Sequence, residues 1–403
     1  MPDPPSASPT DPGLPAPVTS PVLDTLPGHT SLVWRLQREL LVPFLSILTS
    51  LLIGAGVIWL TTGSLGTALS AYAGLLLGSF GSLQAVAHTL IQATPYIFAG
   101  LAVALAFKCG LFNIGAEGQV ALGGLCAAFV GYSVHLPAII HVPLTIAAGM
   151  LGGFLWGAVP GILKARTGAH EVITTIMMNY LALQFVQLML SGPMKAPGSV
   201  AAQTPLLLPT SWLPMLLPSL GLHSGVLLAV VAAVAVWWFL YRTTWGFEIR
   251  TTGANPSAAR YAGMPIVRNV VLAMALSGML AGLAGAVEVT GVALDVTHLN
   301  PGGDRYFGLG FSSGYGFDSI AVALLGRGNP FGVIAAALLF GALRAGAVQM
   351  QFNTQVPSEI ISVLQGLILL FVAAPAIVRL LYRVRAEGTE TQPALTSGWG
   401  EKV

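Results

Sequence analysis

Of 403 residues, 55% are hydrophobic and only 8% charged, with a net charge of +2 and a mean hydropathy of +0.79. Soluble domains carry about 25% charged residues, so this balance excludes a water-soluble globular enzyme, and the few dispersed Lys and Arg residues form no stripe for a nucleic acid. It describes an all-α polytopic membrane protein that lives in the lipid bilayer.

In chain order, residues 1–34 are rich in Pro, Ser and Thr and lack the apolar run of a signal peptide, so a disordered cytoplasmic tail is expected. A membrane domain over 35–385 follows, and residues 386–403 form a second polar tail. Ten spans are expected at about 40–60, 86–107, 116–134, 142–163, 171–191, 224–241, 270–290, 316–326, 331–349 and 359–378. The run 316–326 is too short to cross about 30 Å of hydrocarbon as a helix and reads as a broken or re-entrant element. Cys109 and Cys126 lie in or beside apolar runs and read as small core residues, with no metal-binding spacing.

With the chain starting inside, every Lys and Arg falls on the cytoplasmic side except Lys195 and Arg305 outside and Arg344 within a span. Both termini are then cytoplasmic. The longest cytoplasmic loop, 242–269, holds the polar island "TTGANPSAARYAGMP" (251–265). There Asn255 is placed to cap, Pro256 suits the first helical position, Ala258 to Ala262 continue a helix of roughly two turns, and Gly263 ends it. So short a helix is marginal in water and needs a surface to lie on. Ala258, Ala259 and Ala262 offer a small face for close approach.

Four landmarks recur in order in the two halves. "GLAVALAFK" (100–108) resembles "GLAGAVEVT" (282–290), and "GAEGQVALGG" (115–124) resembles "GFDSIAVALLG" (316–326). "LWGAVPG" (155–161) resembles "LFGALRA" (339–345), and "EVITTIMMNYL" (171–181) resembles "EIISVLQGLIL" (359–369). The orientation makes this an inverted-topology repeat, an architecture associated with alternating access. It pairs Glu117 with Asp318 at Gly-x-acid starts and Glu171 with Glu359. Ionisable groups near spans are functional candidates, yet acids in a first helical turn also serve as caps. Glu171 and Glu359 read as caps. Glu117 and Asp318 read as lining residues, amid Phe112, Asn113 and Gln119 on one side and Tyr315, Phe317 and Ser319 on the other.

The chain holds no Gly-Lys dipeptide and therefore no P-loop, so ATP coupling must come from another subunit. It also lacks a His-Glu-x-x-His pair. A self-contained transporter using Glu117 and Asp318 as proton carriers is the alternative from a different class.

"GANPSAARYAGM", "FNIGAEGQ" (112–119) and "GYGFDSIAVALLGRGNP" (314–330) resemble the permease subunits of bacterial ABC importers in the branched-chain amino acid and simple-sugar group. "FNIGAEGQ" resembles the nucleoside-importer branch in particular. The likeness covers about residues 35–385. It implies a permease in the cytoplasmic membrane that pairs with a second, similar permease, a cytoplasmic ABC ATPase carrying ATP and Mg²⁺, and an extracytoplasmic substrate-binding lipoprotein, while this chain binds no cofactor or metal itself. Gly253, Asn255, Ala258, Ala259, Arg260 and Gly263 would couple to the ATPase, and the loop 325–330 would add a second contact. Asn113, Glu117, Gln119, Asn179, Phe317, Asp318 and Gln365 can supply a nucleoside passage with hydrogen-bonding groups and a flat apolar surface. Simple sugars or branched-chain amino acids are the alternative cargoes.

Overall fold

The computed structural model describes residues 32–292, 304–312 and 314–383. The expected tails at 1–34 and 386–403 lie outside the described residues, apart from 32–34, which open the first helix.

Helix α1 (Leu32–Thr62) turns into α2 (Leu65–Phe80), and α3 (Leu83–Lys108) follows directly. Serine hydroxyls set both starts: Ser64 accepts from the Thr67 amide at 3.3 Å and Ser82 from the Ala85 amide at 3.1 Å. Next come α4 (Ala116–Ser133), α5 (Ala138–Thr167) and α6 (Glu171–Ser191). A long loop then carries a small antiparallel hairpin, β1 (Met215–Leu217) and β2 (Leu222–His223). After α7 (Gly225–Arg242) the short α8 (Thr244–Ala254) and α9 (Pro256–Tyr261) precede α10 (Ile266–Gly291). The chain continues with α11 (Tyr315–Leu325), α12 (Pro330–Thr354), α13 (Ile360–Ala373) and α14 (Pro375–Leu381).

The expectation of ten spans needs correction. Among the described residues, seven helices are long and apolar enough to cross a membrane: α1, α3, α5, α6, α7, α10 and α12. The pair α13 and α14 makes an eighth if counted as one span, although it bends by 87° at Pro375, where the proline cannot continue the ladder of α13. Helix α4, with Glu117 and Gln119 in its first turns, and the 11-residue α11 fall short. Helix α2, an apolar stretch of 16 residues, was not expected at all.

Helices α3 and α10 form the centre and are mostly buried, whereas α1, α5, α6 and α7 turn Leu, Ile, Val and Trp side chains outward, as lipid contact permits. A close joint lies between α5 and α10. A Cβ on Gly153 would stand 2.2 Å from the Gly278 carbonyl oxygen, and one on Gly282 would stand 2.3 Å from that of Gly149. Glycines four residues apart on both helices let the backbones touch, the small-residue packing that membrane helices use in place of a hydrophobic drive.

Two helices start inside the bundle. After α3 the chain doubles back, because Asn113 hydrogen-bonds to Ser277, in the middle of α10, and Ser277 in turn donates to Ala102 in α3. Helix α4 begins at that level, and so does α11: a Cβ on Gly316 would lie 2.2 Å from the Glu117 nitrogen. From this meeting point α4 runs towards the loops around Thr210, whose hydroxyl bonds His141 at 2.8 Å. Helix α11 runs the other way, its following Gly328 lying beside Lys108 at the end of α3.

The loops beyond α4 and α10 form a cap. Residue 204 donates its amide to the Phe307 carbonyl at 2.9 Å, Leu207 to Arg305 at 2.8 Å and Leu213 to Thr290 at 3.1 Å. Arg305 is fully buried, with its guanidinium carbon 4.1 Å from the Trp212 ring centre. His223, also buried, accepts the Gly225 amide on Nδ1 at 3.1 Å, so its proton sits on Nε2. Burial and then the Arg305 charge push the His223 imidazole down to about 4. Since this is below the ordinary value, the folded protein stays neutral there while the unfolded chain takes up a proton as pH falls from about 6.5 to 4. Up to about 3 kcal/mol of stability is therefore lost across that window. Thermal unfolding between pH 7 and 4.5 should show this loss, and His223→Gln should flatten it; an unchanged slope in the variant would remove His223 as its source.

Candidate functional site

The amides around the α4 start are closed on themselves. Asn113 Nδ2 donates to Gln119 Oε1 at 2.9 Å and to the Ser277 hydroxyl at 2.8 Å, while its Oδ1 accepts from the Gly115 amide at 3.0 Å. Asn179 Oδ1 accepts from the Gly118 amide at 2.9 Å and its Nδ2 donates to the Ile114 carbonyl at 2.8 Å. All three side chains are buried, so Asn113, Gln119 and Asn179 pin the doubled-back segment.

Glu117 is likewise spoken for. Its Oε2 accepts from the Gly316 amide at 2.8 Å, and its Oε1 accepts from the Gly314 amide at 3.2 Å and from the Ser312 hydroxyl. The carboxylate of one half-helix thus caps the amino end of the other, where free amides and the helix dipole favour negative charge. Residues 310–314 spell Gly-Phe-Ser-Ser-Gly, the pattern of a hydrolase nucleophile turn, but Ser312 spends its proton on Glu117 and opens no strand-to-helix elbow. Glu171 is a structural acid, paired with Lys164 at 3.0 Å.

Asp318 belongs to a different neighbourhood. Its Oδ2 accepts from the Tyr96 hydroxyl at 2.8 Å, and Tyr96 in turn accepts from Arg344 Nη1 at 2.9 Å. The Arg344 guanidinium lies 4.3 Å from the centre of the Tyr315 ring. Tyr315 donates its hydroxyl towards Gln92 Oε1 at 3.1 Å and Glu288 Oε1 at 3.4 Å. The Tyr96 and Tyr315 rings meet edge to face at 5.0 Å. Four helices, α3, α10, α11 and α12, thus converge on one polar cluster. The tyrosines are buried beneath it, whereas Gln92, Glu288, Asp318 and Arg344 keep part of their surface open and Phe317 is 46% exposed.

Of the seven residues named for a passage, Asp318 has a hydrogen bond within this cluster, and Phe317 is its exposed neighbour on α11. Gln365 is buried on α13, with no hydrogen-bond partner for its Nε2 among the described residues. Gln92, Tyr96, Glu288, Tyr315 and Arg344 complete the cluster without having been nominated. One sequence signal could have found two of them: Glu288 and Arg344 are charges inside long apolar runs.

The polar island forms α9 as expected. Asn255 Oδ1 accepts the Ala258 amide at 3.0 Å, Met264 donates to the Ala259 carbonyl and Gly263 to that of Arg260, both at 3.0 Å, and Gly263 takes φ 75°. These two bonds are a Schellman ending. Two of the residues named for coupling do not lie on its outer surface, however. Ala259 is fully buried, and a Cβ on Gly253 would stand 2.3 Å from the Lys108 carbonyl oxygen, so both pack on their own chain. Asn269 braces the segment by donating to the Thr252 hydroxyl at 3.1 Å. Ser257, Ala258, Arg260, Ala262 and Gly263 face outward, and so does Tyr261, which is 98% exposed.

Comparison with known proteins bears on what such a chain does. It is 41% identical to the guanosine ABC transporter permease protein NupP of Bacillus subtilis, over 86% of this chain and 97% of the relative. It is 35% identical to the nucleoside ABC transporter permease protein NupB of Lactococcus lactis, over 85% of this chain and 93% of the relative. A glucose ABC transporter permease protein of Haloferax volcanii, TsgB13, is 33% identical over 82% of this chain and 86% of its own length. No solved structure matches the chain. Residues 85–373 match the family described as branched-chain amino acid transport system, permease component. A membrane-spanning helical body with no nucleotide loop of its own, joined to that match over most of its length, makes this chain a member of the permease component family of branched-chain amino acid transport systems.

Proposed function

We propose that this chain is one of two permease subunits of an ATP-driven importer that carries nucleosides across the cytoplasmic membrane. The observation that carries the reading is the half-open cluster of Gln92, Glu288, Asp318 and Arg344. Charged groups within apolar spans are too costly to leave against lipid, so this face borders a water-filled passage, closed on its far side by a second, similar permease. The relatives named for guanosine and nucleosides support the cargo, while the relative named for glucose favours a second reading, since sugar hydroxyls would suit the same groups.

In this reading both termini and α9 face the cytoplasm. There a partner ATPase holds ATP and Mg²⁺ and grips Ser257, Ala258, Arg260 and Tyr261, while Asn255 and Gly263 keep the helix rigid and Gly253 and Ala259 seat it on the permease. An external binding lipoprotein delivers cargo on the capped side. The opposed half-helices α4 and α11, with Glu117 and Asp318 at matching Gly-x-acid starts, suit an inverted repeat that rocks between two access states.

The test is uptake of labelled nucleoside by cells that lack other nucleoside carriers and hold the complete transporter. Deleting this chain should abolish uptake, and unlabelled nucleosides should compete while glucose and leucine should not. Tyr261→Ala should reduce uptake about tenfold or more without changing the amount of protein in the membrane, as loss of an exposed aromatic anchor would. Competition by glucose alone would select the sugar reading. Uptake by this chain alone that an uncoupler abolishes in the presence of ample ATP would select proton coupling instead.

A further inference from the structure

The cluster's hydrogen-bond inventory is incomplete in a particular way. Glu288 uses Oε1 for Tyr315 and Asp318 uses Oδ2 for Tyr96, but Glu288 Oε2, Asp318 Oδ1 and Gln92 Nε2 have no hydrogen-bond partner among the described residues. The three residues keep part of their surface exposed, and Phe317, next to Asp318 on α11, is 46% exposed. Behind them Tyr96, Tyr315 and Arg344 hold the used oxygens in place, so the open ones are held by the protein rather than swinging free.

We infer that Glu288 and Asp318 are the hydroxyl-recognition subsite of the passage, taking a neutral ring that carries neighbouring hydroxyls: the ribose of a nucleoside, with its base lying against Phe317. Each open carboxyl oxygen accepts a hydrogen bond from a ring hydroxyl, a bond that a deoxy analogue cannot make. Gln92 offers the complementary donor. The bonds are few and partly wet, which lets the ring leave again, as passage requires. This assignment rests on the reading of the chain as a nucleoside permease.

The experiment compares maximal uptake rates of a labelled ribonucleoside and its 2′,3′-dideoxy analogue, with the complete transporter in cells lacking other nucleoside carriers. Glu288→Gln and Asp318→Asn each keep an oxygen for the tyrosine and replace the open acceptor with an amide. Each should lower the ribonucleoside rate on the order of tenfold, with a much smaller change for the dideoxy analogue, so that the ratio between the two collapses. Equal losses for both cargoes would mean a structural role, and unchanged rates would mean no role; either overturns the assignment. If the wild type carries glucose rather than nucleosides, the cargo reading fails, and the same ratio measured with glucose and its 2-deoxy analogue decides the subsite by itself.

Discussion

Glu117→Ala should destroy the folded permease rather than merely slow it. The substitution strips the acceptor from the Gly314 and Gly316 amides and from the Ser312 hydroxyl at once, at a place where α4 and α11 touch backbone to backbone. Water cannot readily replace it, because Glu117 is only 5% exposed. Orphaned buried donors cost about 1–3 kcal/mol each, so a loss on the order of 4 kcal/mol is expected, comparable with the whole stability of many domains. Thermal stability in detergent and the yield of membrane-inserted protein measure it. Glu117→Gln should be intermediate, since its oxygen serves one amide while its NH₂ group opposes the other. A Glu117→Ala protein with native thermal stability but no uptake would return Glu117 to the passage, and with it the proton-carrier alternative.

The second large effect is expected at Gly153. A methyl there already collides with the Gly278 carbonyl at 2.2 Å and with Gly282 Cα at 2.7 Å, both backbone atoms that no rotamer change can move. Gly153→Ala should cost on the order of 2 kcal/mol, and Gly153→Leu more than about 3 kcal/mol, by forcing α5 away from α10. Helix α10 also carries Glu288, so separation disturbs the polar cluster as well as the packing. Gly56→Ala is the control: nothing lies within 4 Å of its added methyl, so it should be neutral or slightly stabilising. Equal behaviour of Gly153→Ala and Gly56→Ala in a thermal-shift assay would show that the close approach of α5 and α10 is not rigid.

The α9 helix shows how far local sequence reaches. An Asn cap, a proline at the first position and a glycine in left-handed geometry act through bonds spanning three to five residues, so Asn255, Pro256 and Gly263 were legible without any fold. Which way α9 faces was not, because Ala258 and Ala259 are chemically alike and only the body beneath separates the exposed one from the buried one. Much the same holds for α2, where a mostly apolar helix of 16 residues, broken from both neighbours by serine caps, carries no span-length signal.

The membrane class, the positions of the long spans, the short run at 316–326 and the acids at the two Gly-x-acid starts were determined by the sequence itself, because transfer from water to lipid depends on local composition and helix ends on local chemistry. What each acid does was decided only by tertiary structure. Glu117 meets amides about 200 positions away and becomes a cap, whereas Asp318 meets Tyr96 at a separation of 222 residues and Tyr96 meets Arg344 across 248, making an open polar face. Periodicity cannot report such meetings: they follow from the packing of four helices around α3 and α10, where a bond's strength depends on position in space and not on distance along the chain.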